Sequence, residues 1–481
     1  MSVTMVVTVI GLIVIAVLGF LGRRTPTNSM DEWTVGGRGF GAVTMWFLQA
    51  GEIYTTFTFL GMAGLAYEGG VGALYALPYI PLAFIGLYFL GPIVWRRARD
   101  RGQLTMSDFL TDFYNSRWIG LVAAICGVVF LLPYLQLQIT GLGLAVELAT
   151  GSKSSSNISM VVAFLLTVAF VLWAGIKGVA TTSYFKDALM LVVLIVLVVA
   201  IPAHFHGGIG PTFTQLLHQH PDMLTIHSGT YDRGWFLSSM LASTLGVLFL
   251  TLPHTWPPLL SAKNPRAVRR NYIFLPIYSV GLVLPMIIGF VGIMSLKPGG
   301  NGNAALLTLA GHTFPAWFVG VVVVATAATA MVPAAGLIIG MASLISRNII
   351  PTRSPRAQFG LNQGAVVVVT LLALVLAISR PDLLANLLLL TYSGLDQLIP
   401  AIGLALFVKR FVGVWPVLAG LVVGEAVVIW LTFGDVGFIG HINVGILALI
   451  PNLVVVAIGG LIERAVKGGA DARVTTEAEP A

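Results

Sequence analysis

Residues 49–58 read Gln49-Ala-Gly-Glu-Ile-Tyr-Thr-Thr-Phe-Thr58. Apolar sequence flanks this stretch on both sides, so it falls in the middle of a span over 41–66 that is long enough to cross a bilayer. An unbroken lipid-facing helix is not written this way, because a central acid costs about 2.5–3.5 kcal/mol on insertion scales. A helix that unwinds locally and lines a cavity fits the pattern. Glu52 then marks a polar interior, and Gly51 beside it marks the place where the helix gives way. A protonated acid hydrogen-bonded in a packed bundle also fits, but acids at this depth more often mark a pathway.

The rest of the chain agrees with a membrane setting. Of 481 residues, 57% are hydrophobic and 9% charged, against about 25% charged in an average soluble domain. Mean hydropathy is +0.93. These values exclude a soluble enzyme, a nucleic-acid binder and a disordered scaffold. Thirteen spans are expected, at 3–22, 41–66, 72–94, 118–149, 158–178, 183–203, 236–260, 272–297, 315–346, 361–379, 384–408, 413–433 and 442–463. Val3 to Gly22 is too long for a signal-peptide core, and its arginines follow it, so it reads as a retained helix.

With the N-terminus outside, 22 of the 26 lysines and arginines fall on the inner side, Lys186 among them. Lys153, Arg233, Lys297 and Arg380 fall outside. That bias sets an N-out, C-in topology and accounts for the net charge of +7. The fold class is all-α integral membrane. One membrane domain covers 1–467, and 468–481 reads as a disordered cytoplasmic tail. Leu104 to Arg117 has amphipathic spacing and is expected to lie along the inner surface.

Two further acids sit inside spans. Asp396 is surrounded by Thr391, Tyr392, Ser393, Gly394 and Gln397, and function or helix gluing fits it equally. Glu425 has apolar neighbours and reads as a paired structural acid. In 118–149, Pro133 is followed by Tyr134, Gln136, Gln138 and Thr140. Gln136 and Thr140 share one face, Tyr134 and Gln138 another, and cavity lining or interhelical hydrogen bonding explains them equally. The span 236–260 is expected to be interrupted at Gly246 and to end at Pro253, His254, Pro257 and Pro258. His254 is a gate or relay candidate, although such a histidine more often satisfies its surroundings.

Five of eight histidines crowd one outer loop: His204, His206, His218, His220 and His227. They lack acidic or cysteine partners, so no metal site is assigned. The single cysteine, Cys126, forms no intramolecular disulfide. No nucleotide-binding or metalloprotease motif is present, so neither ATP-driven pumping nor an enzyme is indicated. A channel is disfavoured too, because its filter would want rings of carbonyls or acids.

These residues resemble the sodium:solute symporter family. Asp31-Glu-Trp-Thr-Val-Gly-Gly-Arg-Gly-Phe40 is similar to the family's segment before the first core helix. Thr58-Phe-Leu-Gly-Met-Ala-Gly-Leu-Ala-Tyr67 is similar to its Thr-Phe-Leu-Gly stretch, and Ala330-Met-Val-Pro-Ala-Ala335 occupies the place of its Ala-x-Met-Ser-Ser/Thr motif. Gly51-Glu-Ile-Tyr-Thr55, Pro133 to Gln138, Phe185-Lys-Asp-Ala188, Pro253-His-Thr255 and Val332-Pro-Ala-Ala335 resemble the bacterial monocarboxylate permease branch.

The resemblance implies a leucine-transporter-type fold. Spans 2–6 and 7–11 would form two inverted five-helix repeats, with spans 1, 12 and 13 peripheral. It implies a secondary transporter in the cytoplasmic membrane that imports a short monocarboxylate such as lactate or pyruvate. The alternative is the same fold carrying an amino acid, a sugar or another organic anion. The partners would be that solute and the lipid bilayer, with no nucleic acid and no cofactor; the sequence sets no oligomeric state.

Candidate substrate contacts are Tyr54, Thr55, Thr56, Gln136 and Gln138. Asp187, at the inner mouth of the sixth span, and His254 are gate candidates. The family's sodium site carries over to Gly51, Tyr54, Thr329, Val332 and Pro333. Here the chain departs from the pattern, because Val332 and Pro333 have no side-chain oxygen for a hard cation. Backbone carbonyls and Thr329 would have to hold Na+, or Glu52 would carry H+ instead. The departure points away from sodium dependence.

Overall fold

The computed structural model describes residues 2–22, 29–151, 156–226, 229–407, 412–434 and 441–476. Arg23, Arg24, Lys153, Lys409 and Arg410, used in the charge count, lie outside the described residues, as does His227.

The described chain is helical, in the order α1 (Val3–Gly22), α2 (Met30–Val35), α3 (Ala42–Ile53), α4 (Met62–Gly69), α5 (Ala76–Asp100), α6 (Met106–Tyr114) and α7 (Arg117–Thr150). It continues with α8 (Ser156–His206), α9 (Ile209–Gln219), α10 (Arg233–Leu248), α11 (Trp256–Leu260), α12 (Pro265–Ser279) and α13 (Val283–Ser295). The last third holds α14 (Ala305–Thr313), α15 (Ala316–Leu344), α16 (Pro355–Ser379), α17 (Leu384–Leu395), α18 (Ile399–Phe407), α19 (Val414–Phe433) and α20 (Val444–Thr476).

Ten of these helical runs are long and apolar enough to cross a membrane, or eleven if the bent pair α10–α11 is one span. Thirteen follows only if the run Phe57–Asp100 is divided at Gly70 and the short apolar helix Met160–Trp173 is counted as well. α20 runs to Thr476, so 468–476 are helical where a disordered tail is expected, and 477–481 lie outside the described residues.

α15 is the central pillar. It packs against α7, α8, α1 and α3, and is buried over nearly all its length. Its middle is built from Ala325, Ala327, Ala328, Ala330, Ala334 and Gly336, small residues that let neighbouring backbones approach. The outer surface is apolar, as a lipid solvent requires: Ile10, Ile85, Phe89, Val192, Trp430 and Val454 are all exposed.

The amphipathic segment forms α6 as expected, capped by the Thr105 hydroxyl, which accepts from Asp108 N. Arg347 and Asn348, beyond α15, hold Asp108 at 2.6 and 2.9 Å. Burial pushes the Asp112 carboxyl up, but hydrogen bonds from Arg101 and Arg97 outweigh it and hold the group below its usual range.

Two breaks differ from expectation. The run 156–206 is interrupted at Gly175, where φ is 52° and ψ −174°, and not between 178 and 183. Its second half therefore starts earlier, and Lys186 lies well inside a span, fully buried, although the charge count places it at the inner surface. α10 runs through Gly246 and ends at Leu248; the chain turns at Leu250, with φ of 54°.

Gly175 also sits against Trp33, which lies 3.1 Å from the position a Cβ would take. Gly175→Ala is expected to lose about 1–3 kcal/mol from the backbone conformation alone. Thermal unfolding in detergent reads it, and an unchanged midpoint would contradict a glycine-dependent break.

Candidate functional site

The sequence 49–58 unwinds where its polar content requires. α3 ends at Ile53, and Tyr54 leaves the helix with φ −83° and ψ 86°. A five-residue π-helical turn, Phe57–Gly61, then leads into α4. Helix ends leave donors and acceptors without intrahelical partners. Here side chains satisfy several of them. Phe57 N donates to Thr55 Oγ1 at 3.1 Å, Thr56 N to Gln138 Oε1 at 3.2 Å, and Thr58 Oγ1 to the Ile53 carbonyl at 3.0 Å.

Before the break, the Gly51 carbonyl accepts a hydrogen bond of 2.8 Å from Lys186 Nζ of α8. The same nitrogen lies 2.8 Å from Asp187 Oδ1. Gly51 has to be glycine for this approach, because a Cβ there would stand 2.8 Å from Ser183 Oγ.

The second break follows α10. The Gly246 carbonyl accepts from Thr251 N at 3.0 Å and Thr251 Oγ1 at 3.1 Å, and Trp256 Nε1 donates to the Leu250 carbonyl at 2.8 Å. Between the two breaks lies a cavity of about 70 Å³. Its polar lining is Gln49, Glu52, Tyr79, Tyr134, His254, Thr255, Tyr272 and Tyr392, and its walls include Phe84, Leu87 and Leu252. The Tyr134 and His254 rings meet edge-on at 5.5 Å, and Tyr79 and Tyr392 at 6.1 Å. Asn271 donates to Gln49 from α12. Glu52 packs on Gly336 of α15, where a Cβ would fall 2.6 Å from Oε1. The lining offers four phenols, one amide, one imidazole, one hydroxyl and one carboxyl, with no arginine or lysine among them.

The expected site residues divide into groups. Glu52 and His254 line the cavity. Tyr54 does not; its hydroxyl faces Gly281 at the α12–α13 junction. Thr55, Thr56 and Gln138 organise the broken helix behind the cavity. Gln136 points elsewhere and donates to the Arg380 carbonyl at 2.7 Å. Thr329 Oγ1 donates back to the Thr326 carbonyl at 2.8 Å. Val332 and Pro333 are buried in α15. Asp187 is not at an inner mouth but buried beside Lys186, with 2% of its side-chain surface exposed. Asp396 is buried against Gly246, with no hydrogen bond to either oxygen among the described residues. Glu425 faces the Cys126 thiol.

Sequence reasoning missed Lys186 as a core group, and missed Tyr79, Tyr272 and Tyr392 as lining residues. Lys186 did carry a signal, as a lysine next to an aspartate leading an apolar run. The tyrosines carried none, since aromatic residues in a span look like ordinary core.

Two broken helices around a small polar cavity, in an all-helical membrane fold, define the class of leucine-transporter-fold solute transporters. The chain belongs to the sodium:solute symporter family, whose model matches residues 33–424. It is 33% identical to the "Uncharacterized symporter YhjB" of Bacillus subtilis, over 96% of this chain and 98% of the relative. It is 29% identical to the "Monocarboxylate transport permease protein" of Rhizobium johnstonii, over 83% of this chain and 82% of that protein. Its fold matches the substrate-bound, outward-open structure of a Na+-coupled sialic acid symporter with a TM-score of 0.77, at 15% identity, covering 96% of this chain and 98% of that one.

Gln138→Leu removes the acceptor for Thr56 N and leaves a buried donor unsatisfied, which costs about 1–3 kcal/mol. A lowered thermal midpoint is expected. A midpoint equal to wild type would show that Gln138 does not hold the start of the second half-helix.

Proposed function

We propose that the chain is a secondary transporter of the cytoplasmic membrane that imports a short monocarboxylate of the lactate and pyruvate class by alternating access. The topology proposed with it is thirteen spans, N-terminus outside, with two inverted five-helix repeats. The observation that carries the substrate reading is the cavity itself. It is small, and its donors are uncharged: Tyr79, Tyr134, Tyr272 and Tyr392, with the Gln49 amide. Neutral donors in a partly dry site suit one carboxylate on a short apolar body. The permease relative from Rhizobium johnstonii supports the same substrate class.

Glu52 is the proposed coupling residue. As an anion it would repel a substrate carboxylate across the cavity. As a neutral acid it can donate to one. A substrate that enters with Glu52 protonated and leaves with it ionised moves with a proton. His254 is retained as a gate proposal, and Asp396 and Glu425 as buried acids of structural weight.

Labelled pyruvate and lactate uptake into proteoliposomes tests this reading. An inward proton gradient is expected to drive accumulation in wild type. Glu52→Gln is expected to abolish accumulation and to keep exchange of labelled for unlabelled acid. No accumulation of either acid under any imposed gradient would refute the monocarboxylate reading. Gradient-driven accumulation that survives Glu52→Gln would remove Glu52 from coupling.

A further inference from the structure

We infer that the Lys186 ammonium is a built-in replacement for the coupling cation beside the α3 break, so that the transporter works without sodium. The family resemblance places a cation between the carbonyls of the broken helix and the hydroxyls of the helix that is α15 here. The residues present do not fit that ion.

The carbonyl side is already engaged. Gly51 O, one of the carried-over ligands, accepts from Lys186 Nζ at 2.8 Å. The charge side is engaged as well, because Asp187 Oδ1 lies 2.8 Å from the same nitrogen. The lysine side chain is fully buried, at 0% exposure, so the ammonium is not a surface charge that has folded inward by chance of rotamer. It is held by an acid and a carbonyl inside the protein.

The α15 side offers little oxygen in exchange. Gly336 and Gly340 of α15 face Glu52 and His254. Val332 and Pro333 lie one helical turn before Gly336 on that stripe, and neither bears a side-chain oxygen. Thr329 bears the one hydroxyl among the carried-over α15 positions; it donates to the Thr326 carbonyl of its own helix and keeps its lone pairs, so α15 supplies a single side-chain oxygen there. Sodium is a hard cation that needs several oxygen ligands, as calcium and magnesium do. It would have to displace an ammonium that already supplies one positive charge, a hydrogen bond to Gly51 O and an ion pair to Asp187. The loss of hydroxyls on α15 and the lysine on α8 are two separate departures with one consequence. A cation tethered to the chain needs no ligand cage of its own.

The test has two arms. In the first, purified full-length protein is unfolded thermally while sodium chloride replaces choline chloride at constant ionic strength. This arm does not depend on the substrate. The same midpoint is expected across the series; a saturable, sodium-specific rise would overturn the inference. Lys186→Met strands Asp187 as a buried, unpaired acid, and is expected to lower the midpoint further than Lys186→Met with Asp187→Asn, which removes both charges. A double variant less stable than the single one would also overturn it.

The second arm rests on the monocarboxylate reading. Counterflow of labelled pyruvate is measured in proteoliposomes with sodium replaced by choline on both sides. The same rate in both salts is expected, and loss of counterflow without sodium would overturn the inference. Absence of counterflow in both salts would instead count against the substrate reading, and the thermal series would still decide the question of the ion.

Discussion

One buried ammonium sets the terms for the rest of this structure. Lys186 reaches from α8 to the last carbonyls of α3 and finds Gly51 O, with Asp187 at its side. An isolated charge in a dry interior would be prohibitively costly, so the lysine persists only because the acid and the carbonyl are both there. The lysine in turn leaves little room for a second cation. Two like charges about 4 Å apart repel by roughly 4 kcal/mol at an effective dielectric of about 20. That is nearly a thousandfold in affinity, before any missing ligand is considered.

The same contact explains the local architecture. A helix that stops in mid-membrane must satisfy its loose ends without water. Lys186 takes a carbonyl before the break, and Gln138 and Thr55 cap donors after it. The glycine at 51 allows α8 to approach, and the small residues of α15 bring Gly336 onto Glu52. These close approaches tie α3, α7, α8 and α15 together at the break. On the other face of the break, Gln49, Glu52 and four tyrosines are left turned toward the cavity. The division is chemical. Charge is settled behind the broken helix, and neutral donors are presented in front of it.

Much of this was legible in the sequence, for physical reasons. Residues 49–58 announce a break because polar groups at mid-span have to line something. The amphipathic spacing of 104–117 marks α6, and the interruption expected at Gly246 falls a few residues later, after Leu248. What stayed hidden depends on rotation and depth, which spacing does not encode. Gln136 and Gln138 are two apart, so only one of them can face the break, and nothing local says which. Lys186 was read as an inner-surface cation because a lysine near a span end usually snorkels to water; the earlier break at Gly175 puts it inside instead. The cavity tyrosines are distributed over α5, α7, α12 and α17 and converge only in three dimensions.

The most direct test is a high-resolution structure of the purified protein at high sodium, with density clear enough to separate a side chain from an ion at Gly51 O. The predicted result is continuous density from Lys186 to a nitrogen about 2.8 Å from that carbonyl, flanked by Asp187, with no separate ion. Lys186 withdrawn from Gly51, with a discrete cation bridging the Gly51 carbonyl and α15, would contradict the account.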